Sequence, residues 1–368
     1  MKIVHITSAH PALDIRIFFK ECVTLFKAGH EVHLIVPLST ITHYEGVIIH
    51  PLNLTKTTSR WRRLFNIYAL AKSISADIYH FHDPEFIPFA LLLKISGKKI
   101  IYDVHEDTPL ESLSFNKGKP IAAYFKYTRW VALESLAKLL FDGFICATPH
   151  ITKNFPIKKS VTVRNLVNVD EFNPLERISP FRERSNIALY VGGIMHIRGV
   201  SEMVQAIHTL RDEYNPQLKL IGKFFPEKLQ QEVVAQGGSK KITHVDWLDR
   251  KALIPHFFSA KVGLVLLHPE KNFIDALPIK LFEYMAAGLP VVASDFPLWR
   301  EIVIKAKCGF VVNPLDISAI KKAMTYIFDN PDEAERMGSA GRHAVEQLYN
   351  WEFEAKVLRE FYQQFERR

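Results

Sequence analysis

Three cysteines in 368 residues are too few and too scattered to staple a fold. Cys22, Cys146 and Cys308 form neither a Cys-x-x-Cys pair nor a Cys/His zinc spacing, so a disulfide framework and a zinc finger are both excluded. The pattern is that of a chain kept in a reducing cytosol. Long apolar runs are missing too: the best, FIPFALLLKI, is cut by Lys94 well short of the roughly 18 residues that span a bilayer. The opening MKIVHITSAHPALDIR is broken by His5, His10, Pro11 and Asp14, unlike a signal peptide, and reads as a first β-strand. No solenoid period and no low-complexity tract occurs.

What the chain does have is a globular balance, with 48% hydrophobic and 23% charged residues, which excludes a disordered or fibrous protein. The length suits two domains, each able to bury its own core. The net charge is +8, and most of the excess falls in the first 180 residues. That excess suits anionic lipid or a phosphorylated acceptor, or is simply a well-solvated surface. Nucleic acid is not expected, because the excess is modest and no recognition module appears.

Short β-branched runs alternate with helical patterns along both halves. KIVHITS, EVHLIVP, GVIIHPL, DIYHFH, KKIIYDV and GFICAT give one set of strands; SNIALYVGG, LKLIGKF, KITHVDWL, KVGLVLLHP, LPVVASD and GFVVNP give another. This rhythm is that of α/β doubly wound parallel sheets. Phe18, Cys22, Leu25 and Phe26 have helical spacing, closed by Gly29. The expected domains are 1–170 and 171–350, with a linker near 168–184. The closing stretch 351–368 reads as an amphipathic helix with Phe353, Val357, Phe361 and Phe365 on one face, suited to covering the first domain. Because open parallel sheets bind ligands beyond the carboxyl ends of their strands, the loops after strands are where chemistry is sought.

The most informative loop is Asp275-Ala-Leu-Pro-Ile-Lys-Leu-Phe-Glu283, followed by Tyr-Met-Ala-Ala-Gly288-Leu-Pro290. Pro278 suits a first helical turn, and Gly288 with Pro290 ends the helix. Its amino end, with the backbone N–H groups of Ala276, Leu277 and Ile279 and the Lys280 cation, suits a pyrophosphate. Glu283, about one turn deeper, is placed for ribose hydroxyls; the alternative is an exposed helix residue. Tyr190-Val-Gly192-Gly193 leads to Arg198 and Gly199 directly after a strand, which reads as a phosphate turn or as bare backbone geometry. Thr243-His-Val-Asp-Trp247-Leu248-Asp249 offers Trp247 either to a base or to the core. In the first half, strand ends carry Ser8-Ala-His10-Pro-Ala-Leu-Asp14-Ile-Arg16, Phe81-His82-Asp83-Pro84-Glu85 and Ile101-Tyr-Asp-Val-His105-Glu106-Asp-Thr-Pro109, the last with His, Glu and Asp together. The contiguous His82-Asp83-Pro84-Glu85 run makes a poor coordination cage, so no metal is expected.

The carboxylate-x7-Glu spacing followed by Glu283-Tyr-Met-Ala-Ala-Gly-Leu-Pro-Val-Val-Ala-Ser294 resembles the family 4 retaining glycosyltransferases of the GT-B fold, in which two Rossmann-like domains face an interdomain cleft. The resemblance implies that Asp275 lies beside the transferred sugar, that Glu283 binds the nucleotide ribose, that Arg198 neutralises the departing diphosphate, and that Trp247 and Leu248 belong to the loop receiving the base. His105 takes the place of a histidine near the reaction centre, and Asn165 that of an Asn before the hinge. The chain departs from the family where Asp275 replaces Glu, where Pro278 replaces a Gly, and where Gly193 stands for an Arg, leaving Lys223 or Lys280 to supply the second cation. The Asp-x-Arg of Asp14 and Arg16 is similar to bacterial surface-polysaccharide members, making His10, Asp14, Arg16, His82 and Glu106 acceptor or phosphate candidates.

The expectation is a metal-independent hexosyl transfer, with no cofactor, from a nucleoside-diphosphate sugar to a glycan or lipid-linked saccharide. Cations and aromatics mixed over Ser59–Tyr68 and Lys117–Trp130 add peripheral binding to the anionic inner membrane face, with ordinary helix packing as the alternative. A GT-B nucleotide-sugar epimerase and a non-catalytic sugar-nucleotide-binding subunit are the competing readings.

Overall fold

The computed structural model describes residues 1–53, 58–114, 120–173 and 180–366. Two compact units emerge: Met1–Asn165 with Trp351–Arg368, and Leu166–Asn350. The division falls slightly before the 170/171 boundary read from the sequence. Residues 174–179 of the expected linker lie outside the described residues, but Phe172 and Phe181 on either side are buried in the cores of the second unit. Phe172 and Phe181 thus anchor the described residues on either side of that stretch.

The first unit holds β1 (Lys2–Ile6), β2 (Glu31–Val36), β3 (His43–Tyr44), β4 (Val47–Pro51), β5 (Ile78–Phe81), β6 (Lys99–Val104), β7 (Gly143–Cys146) and β8 (Ser160–Thr162). They lie in the order β3-β4-β2-β1-β5-β6-β7-β8, with only the β3–β4 pair antiparallel. Side chains alternate between faces. Val4, Tyr79, Phe81, Ile100, Tyr102 and Phe144 point to one apolar layer shared with the helices Arg60–Ile74 and Ile87–Ile95. Ile3, Ile78, Ile101 and Ile145 point to the other. Along that second face, towards the strand ends, isoleucine gives way to His5, His80 and Asp103, all fully buried.

Over this face lie the π-helical segment Ile15–Cys22 and the terminal helix Trp351–Glu366. The terminal helix buries Trp351, Ala355, Leu358, Tyr362 and Phe365, whereas Phe353 is 47% exposed. Of the expected face Phe353, Val357, Phe361 and Phe365, Phe365 is buried and Val357 and Phe361 pack on the core, so the buried stripe is centred away from Phe353. Polar tips explain the choice: Trp351 Nε1 donates to Thr24 Oγ1 (3.0 Å) and Tyr362 Oη meets His80 Nδ1 (2.8 Å), partners a phenylalanine has no atom to engage.

In the second unit β9 (Ile187–Val191), β10 (Gln217–Ile221), β11 (Ile242–Val245), β12 (Val262–Val265), β13 (Val291–Ser294) and β14 (Gly309–Val312) form an all-parallel sheet in the order β11-β10-β9-β12-β13-β14. Strand order reverses beside β9 here and beside β1 in the first unit, and such switch points leave a crevice at the strand ends. The loops after β1, β5, β9 and β12 are therefore favoured by topology alone. Among the described residues, no helix is long and apolar enough to cross a membrane.

Candidate active site

In the second unit, β9 runs into Gly192-Gly193. Gly192 has φ +117°, a conformation that disfavours a side chain. A Cβ there would stand 3.1 Å from Lys280 Nζ and 3.9 Å from Arg198 Nη1, so both cations border the same small space. Gly199, with φ +78°, closes the turn; a Cβ on it would lie 2.1 Å from the Leu266 carbonyl oxygen. Tyr190 Oη donates to the Gly193 carbonyl (2.7 Å), and Arg198 Nη1 reaches the same oxygen at 3.4 Å. Lys280 Nζ sits 3.8 Å from the centroid of the Tyr190 ring.

Lys280 Nζ and Arg198 Nε are buried and have no hydrogen-bond partner. Burial first, then the Arg198 charge, push the Lys280 ammonium well below the ordinary lysine range, against a partial pull from Glu283. Two basic side chains converging on one small space, each with an unsatisfied buried nitrogen, make a cradle that an anion would satisfy. Lys223 is exposed, and it is its backbone carbonyl that receives Ile194 N–H (2.8 Å). Of the two proposed substitutes for the missing arginine, Lys280 is the one beside Arg198.

The helix Ile279–Ala286 begins after Pro278, which occupies the capping position rather than the first turn, and Gly288 follows its end with φ +63°. Asp275, Ala276 and Leu277 are half-buried in the approach to it; the Ala276 carbonyl receives Trp299 Nε1–H at 2.7 Å and Leu277 packs on the core. Glu283 is buried and paired with Arg250, whose Nε also donates to Glu171 (2.6 Å). Sequence reasoning missed Arg250. Its signal was its position opening a helix after the Trp247 loop. One Glu283 oxygen is thus engaged, and a carboxylate has further acceptor positions for a hydroxyl. Trp247 is 69% exposed, which removes the core alternative, while Leu248 packs inward.

In the first unit the strand ends gather a different chemistry. Asp103 on β6 accepts from Arg16 through Nε (2.9 Å) and Nη2 (2.6 Å), contacts His82 Nδ1 (3.0 Å), and holds His105 Nε2 at 2.7 Å. Burial works against its charge, yet Arg16 and His105 hold its carboxyl well below the usual range. His105 is half-buried, with its ring 5.4 Å from that of His10. Asp14 is held down to about 2, burial being outweighed by His10 and the Ile17 N–H, and in turn raises His10. Asp83 gathers Thr7 Oγ1 (2.8 Å) and Ser8 N–H (2.6 Å), fixing the loop that carries His10.

Two expectations need correction here. Arg16 is 4% exposed with its guanidinium committed to Asp103 and to the Val163 carbonyl (2.9 Å), so it organises the strand ends instead of meeting an acceptor. His82, 2% exposed, lies between Asp103 and His5 (3.0 Å), behind His105. Glu106 is exposed, and burial together with this neighbour raises Glu111 to about 8. Asn165 Oδ1 receives Lys20 Nζ at 2.6 Å. Asp103 itself, the centre of the network, was passed over as part of a strand, although polar residues at every second position of a buried strand were the clue.

Two family models match: Glycosyl transferases group 1 over residues 172–344 and Glycosyltransferase Family 4 over residues 22–164. The chain is 27% identical over 291 residues to the phosphatidyl-myo-inositol mannosyltransferase of Mycobacterium leprae, covering 78% of this chain and 73% of that protein. It is 19% identical over 351 residues to the D-rhamnosyltransferase WbpZ of Pseudomonas aeruginosa, covering 91% and 87%. Against the MMP alpha-(1->4)-mannosyltransferase of Mycolicibacterium hassiacum the identity is 26% over 173 residues, 46% of this chain and 41% of that protein, so the chain spans less than half of that relative. Among solved structures, sucrose-phosphate synthase of Thermosynechococcus elongatus superposes with a TM-score of 0.80 at 20% identity, covering 99% and 98% of the two chains. Anabaena HepE in complex with UDP-glucose gives 0.77 at 12% identity, covering 99% and 100%. The chain belongs to the family 4 glycosyltransferases and has their GT-B fold of two Rossmann-like domains.

Proposed function

We propose that the protein is a retaining hexosyltransferase that moves a sugar from a nucleoside diphosphate to a glycan or lipid-linked saccharide in cell-surface polysaccharide synthesis, in the cytoplasm and without a metal in the transfer step. The observation that carries this reading is that two basic side chains, buried Lys280 and half-buried Arg198, meet at the Gly192-Gly193 turn, each with a buried nitrogen that lacks a hydrogen-bond partner. In the transfer, the bond from the anomeric carbon to the diphosphate oxygen breaks and the acceptor oxygen bonds to that carbon on the same face. The acceptor proton passes to the departing diphosphate. Charge therefore grows on phosphate, where Lys280, Arg198 and the free N–H groups opening Ile279–Ala286 stabilise it without reorganising.

Glu283, kept in place by Arg250, receives the ribose; Asp275 with Ala276 and Leu277 flanks the sugar; and Trp247 with Leu248 borders the base. His105, oriented by Asp103, is assigned to the reacting sugar, and His10 and Asp14, with Glu106 and the exposed loops around them, to the acceptor. HepE bound to UDP-glucose supports a nucleotide-sugar donor, and the mannosyl- and rhamnosyltransferase relatives support a glycan acceptor. Product analysis against a panel of nucleotide-sugars, with anomeric configuration read by NMR, tests the reading. An α-linked product from an α-linked donor is expected. An epimerised donor with no acceptor used, or binding without turnover, would replace it with the epimerase or the binding-subunit reading.

Peripheral docking on anionic lipid at the inner membrane face completes the proposal. Trp61 (64%) and Phe65 (58%) on Arg60–Ile74 and Tyr124 (65%) and Phe125 (71%) on Pro120–Leu140 are exposed beside Arg60, Arg62 and Arg129. Lys117 and Lys119 of the same sequence pattern lie outside the described residues. Sedimentation with phosphatidylglycerol vesicles should bring the protein down at low salt and release it at high salt; absence of binding at any salt removes the docking.

A further inference from the structure

The polar face of the first unit has an inner end that the transfer reaction does not use. His5 on β1 and His80 on β5 are register partners, so their rings stand side by side, 4.4 Å between centroids, and His80 stacks on the His82 ring at 4.6 Å. Above them lies Glu21, from the π-helical segment Ile15–Cys22. All three groups are fully buried. One donor atom from each of His5, Glu21, His80 and His82 lies within 4.8 Å of the others, and Glu21 Oε2 is 3.8 Å from His80 Nε2.

What distinguishes this cluster from an ordinary buried network is where its hydrogen bonds stop. His5 Nε2, His80 Nε2 and both oxygens of Glu21 have no hydrogen-bond partner. Glu21 Oε1 lies 3.1 Å from Arg16 Nε, and the Glu21 carboxyl also faces that of Asp103. Leaving several polar atoms unsatisfied in one dry pocket is costly, and native proteins rarely do so without an ion or a water in place. The other ring nitrogens are all engaged. His80 Nδ1 meets Tyr362 Oη (2.8 Å), and His5 Nδ1 meets His82 Nε2 (3.0 Å), whose Nδ1 ends on Asp103 (3.0 Å). If the His82 Nδ1 proton lies on the Asp103 side, His82 Nε2 accepts from His5 Nδ1–H and the His5 Nε2 lone pair is left pointing into the pocket. That arrangement, one nitrogen fixed by an outer oxygen or relay and the other presenting a lone pair, is how histidines are oriented towards a metal.

We propose that His5, His80 and Glu21 bind a single first-row divalent cation, best suited to zinc, which ties β1, β5 and the segment Ile15–Cys22 together. Two imidazoles and a carboxylate are a zinc donor set, and either the second Glu21 oxygen or a water fills the fourth position. Donor atoms around a tetrahedral zinc stand about 3.3–3.5 Å apart, so the cluster closes onto an ion with movements of about an ångström. The run His82-Asp83-Pro84-Glu85 drew attention in the sequence, but the converging donors come from three separate elements, which a contiguous motif does not reveal. The ion is enclosed by protein and has no open face for substrate, so its role is to hold the strand ends that present His105, and the transfer step does not pass through it.

The test uses the full chain, purified without a histidine tag from zinc-supplemented medium and dialysed against EDTA. Elemental analysis should find about one zinc per chain. Glu21→Gln should lower that at least tenfold, and His105→Asn, which alters the neighbouring His82–Asp103–His105 group, should leave it unchanged. Should Glu21→Gln fail to fold, the wild-type chain refolded with cobalt(II) decides independently, since a tetrahedral nitrogen and oxygen site gives the ion strong visible d–d absorption. Less than about a tenth of an equivalent of zinc together with no cobalt spectrum would overturn the proposal. Zinc lost in His105→Asn and kept in Glu21→Gln would overturn it equally, by assigning the ion to the outer group.

Discussion

The two units place polar residues at the same topological position, the strand ends beside a sheet's switch point, and fill it in opposite ways. The second unit sets glycines and unpaired cations there, Lys280 and Arg198 around Gly192, with the one nearby carboxylate already paired to Arg250. The first unit sets histidines and carboxylates there, tied to one another through Asp103. One end is basic and, on the reading proposed above, gains by taking an anion. The other satisfies its inner carboxylate internally and leaves His10, Asp14 and His105 partly exposed.

The contrast breaks most completely at Asp103. Asp103→Ala removes the two-pronged pairing of the buried Arg16, leaving Glu21 as its nearest carboxylate, and a broken buried pair costs about 3–5 kcal/mol. Urea unfolding should show a loss of that size. A loss under about 1 kcal/mol, the worth of an exposed pair, would mean the first unit's network is as loosely held as a surface. Next in size come Lys280→Ala and Arg198→Ala, each expected to lower turnover about 100- to 1000-fold while moving the unfolding midpoint little, since each removes a buried nitrogen that has no partner. Turnover within a factor of about three of wild type would deny the cradle its role.

Gly192→Ala sharpens the comparison further. It forces a side chain into φ +117° and against the Lys280 ammonium, which should cost about 1–3 kcal/mol of stability and weaken the donor's binding. The same change at a well-exposed helix site of either unit should do neither.

How far the sequence carried differs between the units for the same reason. The phosphate cradle was legible because its parts are local: a strand, a Gly-Gly turn, Arg198 five residues on, and a helix beginning beside Lys280. Which lysine replaced the missing arginine was not legible, because Lys223 and Lys280 follow the two strands that flank β9, and only the folded side chains distinguish them: Lys223 is exposed, whereas Lys280 Nζ borders Gly192. In the first unit the residues were visible but their roles were not. Arg16 and His82 looked like ligands for an acceptor, and burial turned them into supports. Asp103 and Glu21 were passed over because a charged residue within an apolar run carries no sign of which partners, 87 residues away in one case, will neutralise it. The terminal helix shows the same limit: its periodicity was plain, but the choice between its Phe353 face and its Tyr362 face depended on His80 and Thr24 across the fold.

The smallest expected effect concerns pH. Glu134 on Pro120–Leu140 is raised to about 7, mainly by burial and despite Lys138 at 3.6 Å. A carboxyl whose folded pKa exceeds its unfolded value of about 4.3 keeps its proton in the folded state, so stability falls as pH rises from about 4.3 to about 7 and levels off above it. Glu134→Gln should flatten that slope in melting temperatures taken between pH 5 and 8. An unchanged slope would move the effect to Glu111 or elsewhere.

Calorimetric titration of the full chain with uridine and guanosine diphosphates, repeated on Lys280→Ala and Arg198→Ala, tests the cradle most directly. One of the two nucleotides should bind the wild type with a stoichiometry near one, and each substitution should weaken it at least about tenfold, or 1.4 kcal/mol. Affinity indifferent to both substitutions would contradict the account.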